Sequence, residues 1–265
     1  MRRHGNETAF TLVELLVVIG VIGILAALLL AGMSQVKSRV HRIQCANNVR
    51  QLGLALQEFR TDHHFYPPAF DPTVQDEVRY WKSALGNEMG IHLKSEYIPK
   101  GVWRCPSASR PANIPENLGY DDYGYNVIGL GAWSYTRSLG LSDYWVDGLR
   151  MPPRQPHHVM ESEIASPSEL IAIGDAMFGG PNIIHDGGLF GRAGDASVLE
   201  SVADGDNSIL STKRSRVRHQ GQANVVFCDG HVESPSLKYL FADPSDGALS
   251  RWNRDHQPHR ERLLQ

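Results

Sequence analysis

The hydrophobic pattern changes character at about residue 33. An uncharged, almost wholly apolar run extends from Leu15 to Met33, and a single carboxylate, Glu14, stands at its start. At a helical rise of about 1.5 Å per residue, the run is about as long as the hydrocarbon core of a bilayer is thick. It predicts a membrane-spanning helix over 10–33. Charges are rare beside such spans, which makes Glu14 a functional candidate; the alternative is a side chain that reaches the headgroup water.

A helical stripe follows the apolar run. No proline occurs between Met33 and Pro67, and helix-forming Gln, Arg, Leu and Ala are frequent over 34–61. Apolar residues recur there at steps of three and four: Cys45, Val49, Leu52, Leu56 and Phe59. This spacing predicts that the helix continues to about residue 61 with one apolar face laid on a globular domain. We interpret the stripe as core packing rather than as a cofactor site.

The remainder, 62–265, alternates short apolar runs with Pro, Gly, Asn and Asp, which predicts a globular β-rich domain. Glu169–Ile173 is typical of a buried strand. Ala223–Cys228 predicts another, followed by a two-residue type I′ turn at Asp229-Gly230 and a strand beginning at His231. The predicted fold class is therefore α+β, with a long N-terminal helix packed on a C-terminal antiparallel β-sheet.

Composition and motifs exclude several functions. The formal net charge is −3 and no long basic patch occurs, which argues against nucleic acid as a partner. The chain contains no Gly-x-Ser-x-Gly, phosphate-binding glycine loop, Cys-x-x-Cys or His-Glu-x-x-His motif. We therefore predict no catalytic residues and no enzyme activity.

The N-terminus resembles the type IV prepilin and pseudopilin family. A short polar leader, 1–9, ends at Ala9, and Phe-Thr-Leu-Val-Glu begins at Phe10. The resemblance implies that a prepilin peptidase, also an N-methyltransferase, cuts between Ala9 and Phe10 and leaves the helix attached. The family usually has Gly before the cut, where this chain has Ala9. It further implies a pilin-like fold and a filament of copies of the chain or other pseudopilins, in which the Phe10 amine pairs with Glu14 of a neighbour.

Orientation in the membrane has conflicting indications. Two arginines precede the span and four basic side chains follow it between Lys37 and Arg50, so the positive-inside rule alone would place the C-terminal side in the cytoplasm. The resemblance implies the opposite: a single-pass protein of the inner membrane with a periplasmic C-terminal domain. We follow the resemblance.

A second pattern lies near the C-terminus, where His219 is followed by nine residues and then Asp229-Gly230. It resembles the signature of an uncharacterised bacterial pseudopilin-like family, in which Cys-Pro-Ser and Tyr-Gly-Tyr-Asn pieces also recur. His219, Asp229 and His231 are a candidate ligand set for zinc or a similar ion. The alternative, which we favour, is that Asp229 forms a turn and both histidines flank strands.

Acidic, glycine-rich loops are candidate calcium-binding sites. Major pseudopilins of type II secretion hold calcium in an acidic loop, and this chain has such loops at 121–122, 186–188 and 204–206. Oxygen-rich loops suit a hard cation. None of the three matches a calcium-ligand pattern, so we interpret them as solvated loops and predict no cofactor.

The chain has three cysteines. Outside the cytoplasm cysteine pairs form and persist. Cys45 lies on the apolar stripe and Cys105 in a Trp-Arg-Cys-Pro turn, so a Cys45–Cys105 disulfide would join helix to domain. Cys228, in an apolar strand, is typical of a buried thiol. Three pairings are possible, and the choice rests on location alone.

Two functions compete. The favoured one is a structural subunit, processed by prepilin peptidase and assembled into a type II secretion or type IV pilus-like filament. The other is a membrane-tethered extracytoplasmic binding or metal-dependent hydrolytic module, in which the helix only holds the protein to the membrane.

Overall fold

The computed structural model describes residues 11–69, 81–91, 101–108, 122–130, 138–142, 158–175, 189–192, 218–241 and 243–264. Four helices occur there: α1 Leu12–His63, α2 Trp81–Glu88, α3 Leu237–Phe241 and α4 Asp246–Ser250. Five strands occur: β1 Tyr123–Leu130, β2 Ile171–Asp175, β3 Leu189–Arg192, β4 Val225–Phe227 and β5 Val232–Glu233. Single 3-10 turns lie at Gly101–Trp103, Glu161–Glu163, Arg218–Gln220 and Arg260–Leu264. These elements confirm the α+β class with a long N-terminal helix.

Local hydrogen bonds and backbone conformation determine where α1 begins and ends. At its start the Thr11 hydroxyl accepts the Glu14 N–H (3.2 Å), while Glu14 Oε2 accepts the Thr11 N–H (2.9 Å) and hydroxyl (2.8 Å). This is a capping box, which satisfies N–H groups that a helix start leaves without partners. At its end His64 takes a left-handed φ of 64° and donates its N–H to the Arg60 carbonyl at 2.8 Å. A left-handed residue of this kind stops a helix.

The chain divides into two compact units, the first ending at Val40 and the second beginning at His41. In the first unit, the 18 residues Leu12–Leu29, apolar apart from Glu14, are long enough and apolar enough to cross a membrane by length and composition, and none of them is buried.

In the second unit the sheet has the order β3-β1-β2-β4-β5. The pairs β1–β2, β2–β4 and β4–β5 are antiparallel, as predicted. The edge strand β3 departs from this by pairing parallel with β1. Since β1 and β2 are antiparallel, β3 consequently runs opposite to the preceding strand β2.

Two apolar layers cover the sheet. The five stripe residues predicted on α1 are all buried and pack on one face of the sheet with Tyr125 and Val226. Gly53 permits this approach, because a Cβ there would lie 2.5 Å from Val226 Cγ2. The other face packs against α3 and α4, with Phe227, Leu249 and Trp252 at its centre. The sheet thus lies between two helical layers, a three-layer arrangement of the second unit.

The β4–β5 connection corrects one prediction. It contains four residues, Cys228 to His231. Hydrogen bonds from Gly230 N–H to the Phe227 carbonyl (2.9 Å) and from Phe227 N–H to the His231 carbonyl (3.0 Å) close a loop of three residues between Phe227 and His231. Of the turn residues only Gly230 has a positive φ, 91°. The two-residue type I′ turn, which needs positive φ at Asp229 as well, is therefore wrong. The Asp229 carboxylate instead accepts the His231 N–H at 3.1 Å, which stabilises the longer loop.

Candidate functional site

The predicted processing site lies at the edge of the described chain. Ala9 and Phe10 are outside the described residues. Glu14 is described, in the first turn of α1, where its carboxylate completes the capping box with Thr11. A helix-capping role is therefore present before any second subunit arrives. Because Gln also completes such a box, capping alone does not require a charge at this position.

The structure does not bring the predicted metal ligands His219, Asp229 and His231 together. Asp229 and His231 form an exposed pair at the hairpin, with 2.6 Å between Asp229 Oδ1 and His231 Nδ1. The His231 ring stacks on Phe227 with 4.3 Å between ring centroids. His219, by contrast, is buried. Within the described ranges, the group of residues that could hold a metal is a different one, Cys45, Cys105 and His219.

His219 is held in an unusual backbone conformation. It lies in the 3-10 turn Arg218–Gln220 with φ 51°, and the next two residues, Gln220 and Gly221, also have positive φ, 60° and 79°. A left-handed backbone is uncommon for residues other than glycine and costs about 1–2 kcal/mol. In this conformation the imidazole lies in the interior of the domain, where its contacts must offset the free-energy cost of the left-handed backbone.

The imidazole meets two thiols there. Cys45 comes from α1, and Cys105 follows the 3-10 turn Gly101–Trp103. One ligand atom from each of Cys45, Cys105 and His219 lies within 4.8 Å of the others, and His219 Nε2 is 3.3 Å from Cys105 Sγ. All three side chains are buried. Residues remote in sequence thus converge at one point in the core.

Asp175, at the end of β2, adds a carboxylate to this cluster. Its Oδ2 lies 3.3 Å from His219 Nε2 and accepts the backbone N–H (2.7 Å) and the side-chain amide (3.0 Å) of Asn224. Asp175 Oδ1 and His219 Nδ1 are buried and have no hydrogen-bond partner among the described residues. Burial alone would lower the pKa of His219, but the hydrogen bonds and charges of Asp175 and Cys105 raise it to about 9.

Neighbouring polar groups fix the segment that carries Cys105. The Cys105 N–H donates to Asp122 Oδ2 at 3.0 Å. The Asn48 side chain, on α1, donates to the Arg104 carbonyl at 2.8 Å and to the Tyr123 hydroxyl at 3.2 Å. Burial, together with the nearby thiols of Cys45 and Cys105 and the Asp175 carboxylate, raises the pKa of Tyr123 far above its ordinary range. The segment that carries Cys105 is therefore tied to α1 through Asn48 and to Asp122, the residue that precedes β1.

Asp122 corrects the interpretation of the 121–122 loop as solvated. It is buried and serves as an acceptor inside the core. Asp121 and the loops 186–188 and 204–206, the other calcium candidates, lie outside the described residues.

The three cysteines are all buried thiols in the structure. Cys228 has the buried-thiol state expected for it, and burial raises its pKa to about 12. The Cys45–Cys105 disulfide is not formed in the structure, although the two sulfurs lie within 4.8 Å of each other. The pairing stays a prediction, since nearby thiols can either oxidise or hold a cation.

Asp175 and Asn224 were not among the predicted site residues. The only local signal was a carboxylate directly after an apolar strand, in Ile173-Gly174-Asp175. Their pairing depends on the β2–β4 register, which places Asp175 beside Asn224 with a backbone hydrogen bond of 2.9 Å.

Comparison with known proteins bears on the N-terminal region. Residues 5–30 match the family model described as the prokaryotic N-terminal methylation motif. The chain is also 33% identical over 67 residues to the type II secretion system core protein G of Escherichia coli (strain K12). These matches support a pseudopilin-like protein. That alignment covers 25% of this chain and 46% of the relative, so the chain matches less than half of the relative's length. No solved structure matches.

Proposed function

We propose that the chain is a structural pseudopilin-like subunit. A prepilin peptidase removes residues 1–9 and methylates Phe10, and the subunit then assembles through its N-terminal helix into a type II secretion or type IV pilus-like filament. One observation carries the proposal: the match to the methylation motif at 5–30 overlaps the apolar segment Leu12–Leu29 of α1, none of which is buried.

The exposed apolar surface of that segment supports both insertion into the membrane and assembly into a filament. Its large side chains point in all directions around the helix: the consecutive residues Leu15, Leu16, Val17 and Val18, about 100° apart, are each roughly half exposed or more. Such a surface is unfavourable in water by about 25 cal/mol per Å². Lipid covers it in the free subunit, and neighbouring helices cover it in a filament. The localisation that follows is the inner membrane, with the second unit on the extracytoplasmic side.

Glu14 supplies the proposed assembly contact. Once the leader is removed, the Phe10 amine is a positive charge four residues before Glu14, in apolar surroundings. A buried charge is tolerable only when it is paired. Pairing between neighbouring subunits would use the Glu14 charge in addition to its capping role with Thr11.

The tethered-enzyme alternative gains no specific support. Its proposed ligands His219, Asp229 and His231 are not assembled, and the Cys45–Cys105–His219 cluster is buried in the core. A buried cluster suits a structural centre, because catalytic metal sites keep an open position for water or substrate.

Mass spectrometry of protein purified from its native membrane tests the proposal. The expected N-terminus is Phe10, N-methylated. Ala9→Gly should preserve cleavage and Ala9→Leu should block it, because the peptidase site accepts a small residue before the cut. A chain that begins at Met1, or one cut beyond Met33, contradicts the proposal. A reporter fused after Gln265 tests orientation and should be active only outside the cytoplasm.

A further inference from the structure

The core of the second unit holds an arrangement that the filament function does not use. Cys45, Cys105 and His219 place one ligand atom each within 4.8 Å of the others, and all three side chains are buried. Asp175 adds a buried carboxylate oxygen, Oδ1, that has no hydrogen-bond partner in the described part of the chain. An unsatisfied buried carboxylate oxygen costs about 1–3 kcal/mol or more, so its retention calls for an explanation.

The distances suit a tetrahedral cation. With zinc–sulfur bonds of about 2.3 Å and zinc–nitrogen or zinc–oxygen bonds of about 2.0–2.1 Å, neighbouring ligands lie about 3.3–3.8 Å apart. His219 Nε2 is 3.3 Å from Cys105 Sγ and 3.3 Å from Asp175 Oδ2. His219 Nε2 therefore already stands at about the spacing of a tetrahedral coordination shell from Cys105 Sγ and from the Asp175 carboxylate, and the Cys45 ligand atom lies within 4.8 Å of those of Cys105 and His219.

We propose that Cys45 Sγ, Cys105 Sγ, His219 Nε2 and the Asp175 carboxylate bind one structural Zn²⁺ ion. Two sulfurs with nitrogen and oxygen donors in a tetrahedral set favour zinc among the common divalent ions. Four protein ligands leave no open position, which makes the centre structural rather than catalytic.

The groups around the ligands fit the proposal. Asn224 donates two hydrogen bonds to Asp175 Oδ2, which orients the carboxylate beside His219. Asp122 holds the backbone of Cys105. Partners of this kind commonly orient metal ligands. The left-handed backbone of His219 also gains a reason, because zinc binding would offset the cost of that conformation.

The centre would cross-link four segments that are remote from one another in sequence. Cys45 belongs to α1, Cys105 to the loop after Gly101–Trp103, Asp175 to β2, and His219 to the turn before β4. One ion would therefore tie the buried half of α1 to the sheet. A Cys45–Cys105 disulfide would also join helix to domain, but it excludes the zinc centre, because zinc needs both thiolates.

Metal content of the full chain tests the proposal. The protein is purified in detergent with an affinity tag free of histidine, and its zinc is measured by plasma mass spectrometry. The expected content is about one zinc per chain. Replacement by Co²⁺ should give thiolate-to-cobalt charge-transfer bands and the intense visible bands of a tetrahedral site. A strong chelator should lower the melting temperature, and Zn²⁺ but not Mg²⁺ should restore it.

The three buried cysteines provide a matched series. Cys45→Ala and Cys105→Ala should each reduce the zinc content to less than about 0.1 per chain, because a three-ligand remnant binds far more weakly. Cys228→Ala makes the same change in the same core and should keep the full zinc content and cobalt spectrum. Asp175→Asn should also lower the zinc content, because a neutral amide oxygen replaces the charged carboxylate ligand. Circular dichroism shows which variants are folded.

Several results would overturn the proposal. One is a wild-type chain without zinc whose non-reducing peptide map links Cys45 to Cys105. Others are loss of zinc from Cys228→Ala to the same extent as from Cys45→Ala, and copper or iron in place of zinc at one ion per chain. If the Cys45 and Cys105 variants fail to fold, the zinc content and cobalt spectrum of the wild-type chain still decide.

Discussion

Two stretches of the same helix, α1, show opposite relations between apolar residues and burial. Over Leu12–Leu29 the side chains, apart from Glu14, are apolar on every face, and none is buried. Farther along, Leu52 is fully buried while Leu54, two residues later, is 57% exposed. The first stretch has no preferred face, and the second has one. The hydrophobic pattern of a helix thus indicates what surrounds it. A helix that is apolar on every face is surrounded by lipid or by other apolar helices, and a helix with one apolar face packs on a domain and exposes its other face to water.

The comparison also separates two kinds of stability. The second stretch contributes to the free energy of unfolding of its own domain, since its stripe fills the core beside the sheet. The first stretch contributes nothing to that core, so its apolar surface is available for the membrane and for other subunits. Substitutions in the first stretch should therefore be tested by measuring filament assembly, and substitutions in the second by measuring the free energy of unfolding.

The largest expected effect is in the first stretch. Glu14→Gln should abolish filament assembly while leaving membrane insertion and the folded domain intact. Removing one partner of a buried charge pair costs about 3–5 kcal/mol, and each added subunit would incur that loss. Filaments are counted by electron microscopy after overexpression, and urea unfolding followed by tryptophan fluorescence checks the domain.

A matched variant separates charge from capping. Thr11→Val keeps the Glu14 carboxylate but loses the hydroxyl that accepts the Glu14 N–H. It should cost about 1 kcal/mol of helix stability and still permit assembly. Normal filaments from Glu14→Gln, or loss of filaments only with Thr11→Val, would show that Glu14 acts as a helix cap and would contradict the assembly contact.

The next largest effect is in the second stretch. Leu52→Ala should lower the free energy of unfolding by about 2–5 kcal/mol, because it leaves a cavity between α1 and the sheet. Leu54→Ala, the same change on the exposed face, should stay within about 0.5 kcal/mol of the wild type. Both are measured by urea unfolding of the full chain in detergent. Equal losses would mean that α1 does not present a single face to the domain.

These elements show what local sequence can predict. The helix was expected over 10–61 and is observed at Leu12–His63, and all five stripe residues are buried. Both features depend on periodicity within one segment, which sequence displays directly. The parallel pairing of β3 with β1 depends on the path of the chain between strands, and no periodicity encodes that path.

The candidate site shows where sequence reasoning fails. His219 was singled out by its spacing to Asp229-Gly230, yet its contacts are Cys45, Cys105 and Asp175. The Cys105–His219 contact joins residues 114 positions apart. Such convergence is created by the packing of α1 on the sheet and by the β2–β4 register. The pattern of nine residues between His219 and Asp229 instead reflects two separate features of one hairpin region.

A smaller effect is expected where α1 approaches the sheet most closely. Gly53→Ala should lower the free energy of unfolding by about 1–3 kcal/mol, because its new Cβ would meet Val226 and force the helix or strand to move. Gly247→Ala, also in a helix but with open space around it, should raise stability by about 0.5–1 kcal/mol through helix propensity. A gain at both positions would contradict the close contact at Gly53. Urea unfolding under identical conditions compares the two.

The smallest effect concerns the exposed half of the His219 to Gly230 pattern. Asp229→Ala should lower the free energy of unfolding by only about 0.5–1 kcal/mol, because Asp229 accepts one backbone hydrogen bond from His231 at the surface. Asp229→Asn keeps an acceptor at that position and should lose less. Neither variant should change the zinc content of the chain, whereas His219→Ala should remove it. A fall in zinc content with Asp229→Ala, in a domain that remains folded, would restore Asp229 as a metal ligand. Such a result would also mean that the buried and exposed regions are linked through the ion.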